Sequence, residues 1–342
     1  GVVGHLAHRV GPHRVDLLDP AAARMSPLCV LVTGSAGYLG SQVVAELAAR
    51  KDIACVALDV REPAQRLDGV AYEVADIRAP EVDAIVARHA PQVVVHLASI
   101  VTPGKKSNRE FEYSVDVGGT RNLLEACVRQ RVRRVIVSSS GAAYGYHADN
   151  PEWLTESDPV RGNQSFAYSW HKRLVEEMLA DYRARQPQLE QIIFRIGTIL
   201  GATVHNQITD LFEKPRLIAI RGSASPFVFI HDQDVVAAIV RGVDSPVTGI
   251  YNVAGDGKLD IDQIAARLGK RCVVLPASLL QAALWLLKKL GLTQYGPEQI
   301  DFLRYRPVLA NRRLKEEFGY VPKLTSAEVF ELWRQSRQAK AA

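Results

Sequence analysis

The sequence predicts an α/β fold, in which a doubly wound parallel sheet is followed by a smaller C-terminal α/β lobe. From residue 28 onward, short runs rich in β-branched residues alternate with longer stretches of helical period. The short runs are apolar on both faces, as strands buried between two helical layers must be. Repeated β–α–β units with right-handed crossovers give an open parallel sheet. After residue 195 the alternation ends and the pieces become richer in Pro and Gly, which predicts the second lobe.

The individual elements follow from this alternation. Strands are predicted at 28–33, 53–58, 70–74, 92–97, 132–138 and 191–195, with helices at 39–50, 81–89, 110–130 and 166–185. Further helices are predicted at 278–290, 297–304, 312–318 and 326–337. The segment 1–27 shows no sustained period, and we expect a poorly ordered extension there. The large domain is therefore expected to span 28–197, completed by about 227–253, and the lobe to comprise 198–226 and 254–342.

Composition excludes several classes of protein. The 342 residues are 47% hydrophobic and 23% charged, as in ordinary globular domains. The formal net charge is +5, but the basic residues are scattered and form no nucleic-acid-binding stripe. The apolar run 282–287 is far shorter than the roughly 20 residues that span a bilayer, so no transmembrane segment is predicted. The four cysteines are widely spaced, so we expect no disulfide framework, no metal site and a cytoplasmic location.

A glycine-rich turn joins the first strand to the first helix. It reads Thr33-Gly34-Ser35-Ala36-Gly37-Tyr38-Leu39-Gly40. In such a turn Gly34 permits the tight bend, Gly37 lets the backbone approach a pyrophosphate, and Gly40 lets the helix pack closely on the strand. The N–H groups and the positive dipole end of the helix then face the anion. We therefore expect a dinucleotide to bind at Gly34, Ala36, Gly37, Tyr38, Leu39 and Gly40.

Acidic residues follow the second and third strands. Asp59 stands roughly 20 residues after the glycine turn, where a carboxylate accepts the adenosine ribose hydroxyls and repels a 2′-phosphate. This position favours NAD over NADP, although Arg61 stands close enough to offset the repulsion. Asp76 follows the third strand, where it would meet the adenine amino group; the alternative is a residue that only begins the next helix.

Tyr168 and Lys172 lie four residues apart in the helix 166–185 and therefore share one of its faces. The lysine ammonium would favour the phenolate, so that the tyrosine can exchange a proton with an alcohol or a carbonyl. The cluster Ser138-Ser139-Ser140 ends the preceding strand, and strand ends are where such sheets bind ligands. A serine hydroxyl there can hold the substrate oxygen. His171 points away from this face and is expected to be structural.

With these motifs the chain resembles the extended short-chain dehydrogenase/reductase family, also called the NAD-dependent epimerase/dehydratase group, which has a Rossmann fold. The resemblance covers nearly everything from residue 28 onward and includes His96-Leu97-Ala98-Ser99, the run 138–145 and Tyr251-Asn252-Val253. It implies that Ser140 polarises the reacting oxygen, that Tyr168 is the acid/base and that Lys172 holds the nicotinamide ribose.

The resemblance also implies the other partners of the chain. The cofactor would be further lined by Asp76, Ile77, Leu97, Ala98, Ser99, Ser138, Ile196 and Gly197. Helices 110–130 and 166–185 resemble those that form the family's dimer interface, which implies a homodimer. The partners predicted are therefore NAD, a small-molecule substrate and a second copy of the chain.

Three positions depart from the family's pattern. Members that act on nucleotide sugars usually carry Asn after the sixth strand and Arg shortly before a Tyr-Ile-His segment, both for the diphosphate; here Thr198 and Phe227 stand there. We take both as candidate substrate-binding residues. Losing a bidentate phosphate partner favours a less charged ligand, unless Arg216 or Arg221 substitutes for it. Asp116 stands where the family often has Asn, which bears on its proton relay.

The segment 278–290 is strongly apolar and has basic residues at its end. It could pack in the core of the smaller lobe, cap an apolar substrate pocket or rest on a membrane surface. Core packing is the expected interpretation, because most apolar helical faces belong to a core.

Three functions are compatible with these residues. The sequence favours an NAD-dependent oxidoreductase that moves hydride between NAD and a secondary alcohol or ketone, with Tyr168 passing the proton and Ser140 steadying the oxygen. The first alternative is a UDP- or dTDP-sugar 4-epimerase or dehydratase, which returns the hydride to the same substrate. The second is a non-catalytic NAD(H)-binding regulator, against which the intact set of Ser140, Tyr168 and Lys172 argues, since a sensor needs no proton donor.

Overall fold

The computed structural model describes residues 26–101, 108–293 and 295–341. The extension predicted at 1–27 therefore lies outside the described residues, apart from its last two. The strands are β1 (Leu28–Thr33), β2 (Ile53–Asp59), β3 (Ala71–Val74), β4 (Val93–His96), β5 (Arg134–Ser140), β6 (Glu190–Ile196), β7 (Thr198–Leu200), β8 (Leu217–Ile220), β9 (Phe229–His231), β10 (Gly249–Val253) and β11 (Cys272–Leu275). The helices are α1 (Tyr38–Ala48), α2 (Glu81–His89), α3 (Arg109–Tyr113), α4 (Thr120–Arg129), α5 (Ala167–Arg185), α6 (Gln207–Glu213), α7 (Asp232–Val243), α8 (Ile261–Leu268), α9 (Ala277–Lys289), α10 (Gln299–Arg304), α11 (Arg312–Glu316) and α12 (Ser326–Ala341).

The main sheet has seven strands in the order β10-β6-β5-β4-β1-β2-β3, and all of its pairs are parallel. The chain runs outward from β1 through β2 to β3, and then returns to place β4 on the other side of β1. The strand order therefore reverses between β1 and β4, which is where sheets of this kind bind ligands. The predicted fold class, a doubly wound parallel sheet of the Rossmann type, is confirmed.

Both faces of the sheet are covered, as the apolar strands require. In β1, Val30 and Val32 belong to one core, together with α1 and α7, whereas Leu31 belongs to a second core with α2, α4 and α5. Successive side chains of a strand point to opposite faces, so a run that is apolar at every position has to be buried on both.

A third core lies outside the main sheet. It is built from the aromatic residues Phe212, Phe227, Phe229, Phe330 and Trp333 and from apolar residues of α8. Two small parallel pairs, β7 with β9 and β8 with β11, border it. The residues of this core come from 200–333, which is where the sequence places the smaller lobe; the boundaries of the two domains stay a prediction.

The structure differs from the sequence-based elements in two places that matter for function. The helix predicted at 110–130 is interrupted by a π-helical segment, Ser114–Gly119, which separates α3 from α4. The interpretation of the segment 278–290 as a core helix is wrong, because α9 has no buried residue. Its apolar period is the one a core helix shows, and periodicity does not indicate whether anything covers the apolar face. None of the described helices is both long enough and apolar enough to cross a bilayer.

Candidate active site

The glycine turn is built for close backbone contact. Gly34 has a φ of +67°, and a Cβ on it would lie 2.7 Å from the backbone nitrogen of Ala98. A Cβ on Gly40 would overlap the carbonyl oxygen of Gly34, which already accepts a hydrogen bond of 3.0 Å from the nitrogen of Gly37. The first position thus needs glycine for its left-handed backbone as well as for space, and the last for the close packing of α1 on the turn.

The N-terminus of α1 is open to an anion. Gly37 caps the helix without a side chain, and the first turn carries no acidic residue. The N–H groups of this turn have no partner inside the helix, and the helix dipole adds positive potential there. Together with the glycine turn, they make a cradle that fits the pyrophosphate of NAD.

Asp59 is fixed beside this cradle at the end of β2. Its two carboxylate oxygens accept hydrogen bonds of 2.9 Å from the backbone nitrogens of Ala36 and Arg61. The side chain of Arg61 is 67% exposed and its Nε lies 3.7 Å from Asp59 Oδ1. The carboxylate predicted to meet the adenosine ribose is therefore attached directly to the pyrophosphate turn.

A buried chain of hydrogen bonds links the turn to α4. Thr33 Oγ1 and His96 Nδ1 are 2.8 Å apart, His96 Nε2 and Thr120 Oγ1 are 2.9 Å apart, and Thr120 donates to the carbonyl of Asp116. The hydroxyl of Thr120 already donates its only hydrogen to the carbonyl of Asp116. His96 must therefore donate its Nε2 hydrogen to Thr120 Oγ1 and accept a hydrogen bond from Thr33 Oγ1 at Nδ1. Thr33 Oγ1 can then accept from the backbone nitrogens of Leu97 and Ala98, at 3.2 and 3.3 Å. These hydrogen bonds hold the predicted cofactor segment 97–99 beside the glycine turn.

His96 should make folding stability depend on acid pH. Burial, with a smaller effect of the Lys172 cation, lowers the pKa of His96 from 6.5 to about 3. Between these two pH values His96 is protonated in the unfolded chain and neutral in the folded chain. Its contribution to the free energy of unfolding is therefore complete above pH 6.5 and decreases as the pH falls toward 3. Its slope is at most about 1.4 kcal/mol per pH unit. Urea unfolding at several pH values should show a shallower acid loss for His96→Asn than for the wild type; equal slopes would contradict the prediction.

Asp76 and Ile77 follow β3, as predicted, but their side chains have partners inside the protein. Arg78 binds both carboxylate oxygens of Asp76, at 2.6 to 3.1 Å, and lowers the pKa of that carboxyl. Ile77 is buried in the core, where it lies so close to Gly119 that a Cβ there would be 2.5 Å from its Cγ2. The contact of these two residues with a cofactor stays a prediction.

Two hydrogen bonds fix the tyrosine helix α5 to the serine strand β5. Lys172 Nζ donates to the carbonyl of Ser138 at 2.9 Å, and Ser169 Oγ donates to the carbonyl of Ala142 at 2.7 Å. Ser138 and Ala142 lie two residues before and after Ser140, and Tyr168 precedes Ser169. The ammonium of Lys172 lies 5.5 Å from the centre of the Tyr168 ring. The structure therefore places Lys172 beside Tyr168 and ties their helix to the strand that ends at Ser140; the catalytic roles of the three residues stay a prediction.

Ser140 is oriented by its place at the end of β5. Its Oγ accepts a hydrogen bond of 3.1 Å from the backbone nitrogen of Ala142, at the start of a short 3₁₀ turn. Because this bond uses an oxygen lone pair, the hydroxyl hydrogen of Ser140 remains able to donate elsewhere.

The π-helical segment places Asp116 in the interior. Its Oδ1 accepts from the backbone nitrogen of Ile100 at 2.8 Å, and its Oδ2 lies 3.7 Å from Nδ1 of the buried His171. His171 also packs edge-on against Tyr113, at 5.6 Å between ring centres.

Asp116, Ser99 and Lys172 border one small cavity behind the serine strand. Ser99 Oγ is buried there without a hydrogen-bond partner among the described residues. Irregular helical turns of this kind are frequent at functional sites.

A buried ion pair lies under the serine strand and was missed by sequence reasoning. Glu176 and Arg195 are bonded at 2.6 Å, with side chains only 3% and 5% exposed. Ser139 donates to Glu176 at 2.5 Å, and Arg195 donates to the hydroxyl of Tyr144 at 2.9 Å. The serine between the two predicted site serines is thus tied to α5 and β6. The sequence signal was a Glu and an Arg in otherwise apolar surroundings, which did not reveal that they pair.

Ile196 ends β6, and Gly197, which follows it, donates a 2.9 Å hydrogen bond to the carbonyl of Val253. Thr198 begins β7 and is partly buried. Phe227, the other candidate substrate residue, is only 1% exposed and belongs to the third core, where it stacks on Phe229. Its ring therefore has almost no surface of its own to offer a substrate.

A cation lies on Phe227 instead. The guanidinium carbon of Arg306 is 3.8 Å from the centre of the Phe227 ring and 5.0 Å from that of Phe302. Arg306 is 9% exposed, Nη1 donates to the carbonyl of Leu303, and Nε has no hydrogen-bond partner among the described residues. In the part of the chain that the structure describes, no carboxylate forms an ion pair with it. Burial lowers the pKa of Arg306 to about 9, so the group still carries its charge near neutral pH.

An aromatic cluster connects Arg306 with the tyrosine helix. Tyr146 packs edge-on against Phe166 and Phe302, at 5.0 and 5.2 Å between ring centres. Burial raises the pKa of Tyr146, the nearby Tyr168 raises it further, and the charge of Arg306 lowers it. Tyr146 therefore interacts electrostatically with both Tyr168 and Arg306. The cation and the predicted acid/base therefore border the same aromatic region.

Tyr38 is the predicted cofactor residue with the most prominent side-chain contact. Its hydroxyl donates to Asp232 at the start of α7 and lies 3.1 Å from Thr203 Oγ1. Burial and the hydrogen bond to Asp232 raise the pKa of Tyr38 to about 12. This contact fixes the first turn of α1 against α7, and Leu39 packs against the core beside it.

A family model matches most of this chain. The model of the NAD dependent epimerase/dehydratase family matches residues 30–254, which include the glycine turn, the serine strand and the tyrosine helix. The chain belongs to this family. The membership confirms the resemblance that the motifs carried, and with it NAD as the cofactor.

Relatives and solved structures agree with this family. An uncharacterized protein of Mycobacterium bovis is 26% identical over 317 residues, which are 91% of this chain and 84% of that protein. The UDP-glucose 4-epimerase of Yersinia pestis is 35% identical over 184 residues, only 51% of this chain and 54% of that enzyme. The structure of the Thermus thermophilus UDP-glucose 4-epimerase in complex with NAD is 24% identical, has a TM-score of 0.69 and covers 91% of this chain and 99% of that one. At this identity the structural match shows the fold.

Proposed function

We propose that the protein is an NAD-dependent 4-epimerase of a hexose linked to a nucleoside diphosphate. The observation that carries the proposal is Arg306, a buried cation without a carboxylate partner among the described residues. Burying an unpaired charge is costly, and an anionic ligand would compensate for it. The proposal reverses the order of preference that the sequence alone supported.

The position of Arg306 supports a diphosphate as that anion. Sugar-nucleotide enzymes of the family tend to carry an Arg where this chain has Phe227, and the guanidinium of Arg306 lies 3.8 Å from the centre of that ring. Arg306, which follows α10, thus lies against the ring of the residue that stands in place of that Arg. A planar guanidinium suits phosphate oxygens because it can donate two parallel hydrogen bonds.

In the proposed reaction the protein moves a proton and holds an oxygen. Tyr168 takes the proton of the sugar hydroxyl as its carbon becomes a carbonyl, and returns it when the alcohol re-forms. Lys172, held by the carbonyl of Ser138, places its ammonium 5.5 Å from the centre of the Tyr168 ring. Ser140 donates its hydroxyl hydrogen to the same substrate oxygen. NAD, when bound, supplies the acceptance and return of a hydride.

The experiment is to incubate the purified chain with NAD and with either UDP- and dTDP-hexoses or apolar secondary alcohols. Absorbance of NADH is followed, and product isomers are separated from the same samples. We expect isomerised sugar nucleotide without accumulation of NADH. Steady NADH formation from the alcohols, with no isomer, would overturn the proposal and establish a net dehydrogenase, the function that Thr198 and the apolar Phe227 favour.

Arg306→Met tests the observation that carries the proposal. The unbranched methionine can still pack on Phe227 and Phe302, but it cannot bind a phosphate. Hydrogen bonds to charged groups contribute about 1.5–3 kcal/mol, so UDP affinity should fall roughly 10- to 100-fold in calorimetric titration. NAD affinity should not change.

Arg312→Met is the matched control, because this arginine is exposed and paired with Glu316 at 2.7 Å. It should bind UDP like the wild type. Equal UDP affinity of the Arg306→Met variant and the wild type would show that the buried cation serves no nucleotide.

A further inference from the structure

Helix α9 exposes apolar side chains that the rest of the described residues do not cover. Leu279, Trp285 and Leu286 are 56%, 55% and 51% exposed, and Leu290 and Leu292, just beyond the helix, are 61% and 70% exposed. None of the residues of α9 is buried. Single exposed apolar residues are ordinary, but a contiguous apolar patch marks a surface that binds something.

The exposed residues form a face of the helix. Leu279, Leu286 and Leu290 are spaced by seven and four residues, so they line one side, and Ala283 lies between them. Leu280 and Leu284, four residues apart, are only partly exposed and lie on another side. The helix thus uses part of its apolar surface against the protein and presents a second apolar face outward.

Two lysines, one of them close to an acidic residue, lie at the C-terminal end of this face. Between Asp262 and Glu298 the sequence contains no acidic residue, whereas Arg267, Lys270, Arg271, Lys288 and Lys289 all fall within that stretch. Lys289 Nζ lies 4.8 Å from the centre of the Trp285 ring. Lys288 is 51% exposed and lies 3.5 Å from Glu298. The outward apolar face is therefore flanked by cations at its C-terminal end.

This combination points to an anionic lipid surface rather than a second copy of the chain. In a two-fold dimer the same patch meets itself, which would bring the cations of both copies together. An interfacial helix, in contrast, inserts its leucines at the boundary of headgroups and acyl chains, while lysines reach anionic headgroups. Tryptophan is enriched at that boundary. We propose that α9, with Leu290 and Leu292, binds the protein peripherally to bilayers that contain anionic lipid.

The test is co-sedimentation of the whole chain with vesicles of phosphatidylcholine alone and of phosphatidylcholine mixed with phosphatidylglycerol. The protein should bind the mixed vesicles, and added salt should weaken the binding, because it screens the attraction of lysine for the headgroups. Leu286→Gln combined with Leu290→Gln should lower binding at least tenfold. Lys288→Gln combined with Lys289→Gln should remove the preference for anionic vesicles.

Val321→Gln is the matched control, since Val321 is 65% exposed on another part of the surface and should not affect vesicle binding. NAD titration of every variant checks the fold without relying on the enzymatic reaction. Failure to bind either kind of vesicle would overturn the proposal, and so would binding that the leucine substitutions leave unchanged. A dimer that the leucine substitutions dissociate, without vesicle binding, would assign the face to a second copy and also overturn it.

Discussion

Tyr168→Phe is expected to lower turnover roughly 100- to 10,000-fold, the range that general acid–base catalysis supplies. The change removes one oxygen and leaves the ring in place beside Lys172, whose Nζ stays bonded to the carbonyl of Ser138. The proposed reaction then lacks the group that takes and returns the hydroxyl proton. We expect thermal stability and NAD affinity to stay close to wild-type values, so that the loss appears in turnover. The measurement is the initial rate of sugar-nucleotide isomerisation at saturating NAD.

Tyr182→Phe provides the control on the same helix. Tyr182 lies near the end of α5, with the guanidinium of Arg185 over its ring at 5.9 Å. Removing its hydroxyl tests whether α5 tolerates the loss of a tyrosine oxygen away from Ser140, and the variant should turn over like the wild type. If both variants kept full activity, another residue would have to carry the proton.

The cofactor cradle could be predicted from the sequence because its requirements are local. Gly34 needs its own left-handed backbone, and Gly40 meets the carbonyl of Gly34, six residues away; only the close approach of Ala98 to Gly34 is long-range. Tyr168 and Lys172 are similarly fixed by helical spacing. The serine strand was predicted to meet them, and the structure adds the two hydrogen bonds, from Ser169 and Lys172, that hold the strand and helix together.

The position of Arg306 on Phe227 could not be predicted from the sequence, because the contact joins two parts of the chain that are far apart in sequence. The sequence offers Arg216 and Arg221 as replacements for the missing arginine at residue 227, since both are near in sequence. The structure instead brings Arg306 from beyond α10 onto the ring of Phe227. No periodicity or local motif connects these positions, which approach each other only when the third core is assembled.

Helix α9 shows a different limit of sequence patterns. Its apolar period predicted a helix, and a helix is present at Ala277–Lys289. The expectation that this helix belongs to the core was wrong, because the same period suits a face buried in the protein and a face kept for a partner. The sequence does not indicate whether another part of the protein packs against the apolar surface. In the fold, only part of the apolar surface of α9 is packed in this way.

The buried pair of Glu176 and Arg195 should produce the largest stability effect of a single conservative substitution. Burial works to lower the pKa of Arg195, but its hydrogen bonds to Glu176 raise it above the ordinary value, so the guanidinium is charged. Glu176→Gln keeps the size of the side chain and removes the negative charge. The charge of Arg195 is then uncompensated in the interior, which costs about 3–5 kcal/mol in the free energy of unfolding. Urea denaturation followed by circular dichroism measures this loss.

Glu177→Gln is the control next in sequence. Glu177 pairs with Arg173 at 2.7 Å on the surface, with side chains 47% and 35% exposed, and such pairs contribute about 0–1 kcal/mol. Glu176→Leu combined with Arg195→Met should recover much of the stability lost in Glu176→Gln, because no unpaired charge remains. If Glu176→Gln were as stable as Glu177→Gln, the ion pair would not be what fixes Ser139. The serine strand would then depend on apolar packing and on the hydrogen bonds of Ser169 and Lys172 for its position beside the tyrosine.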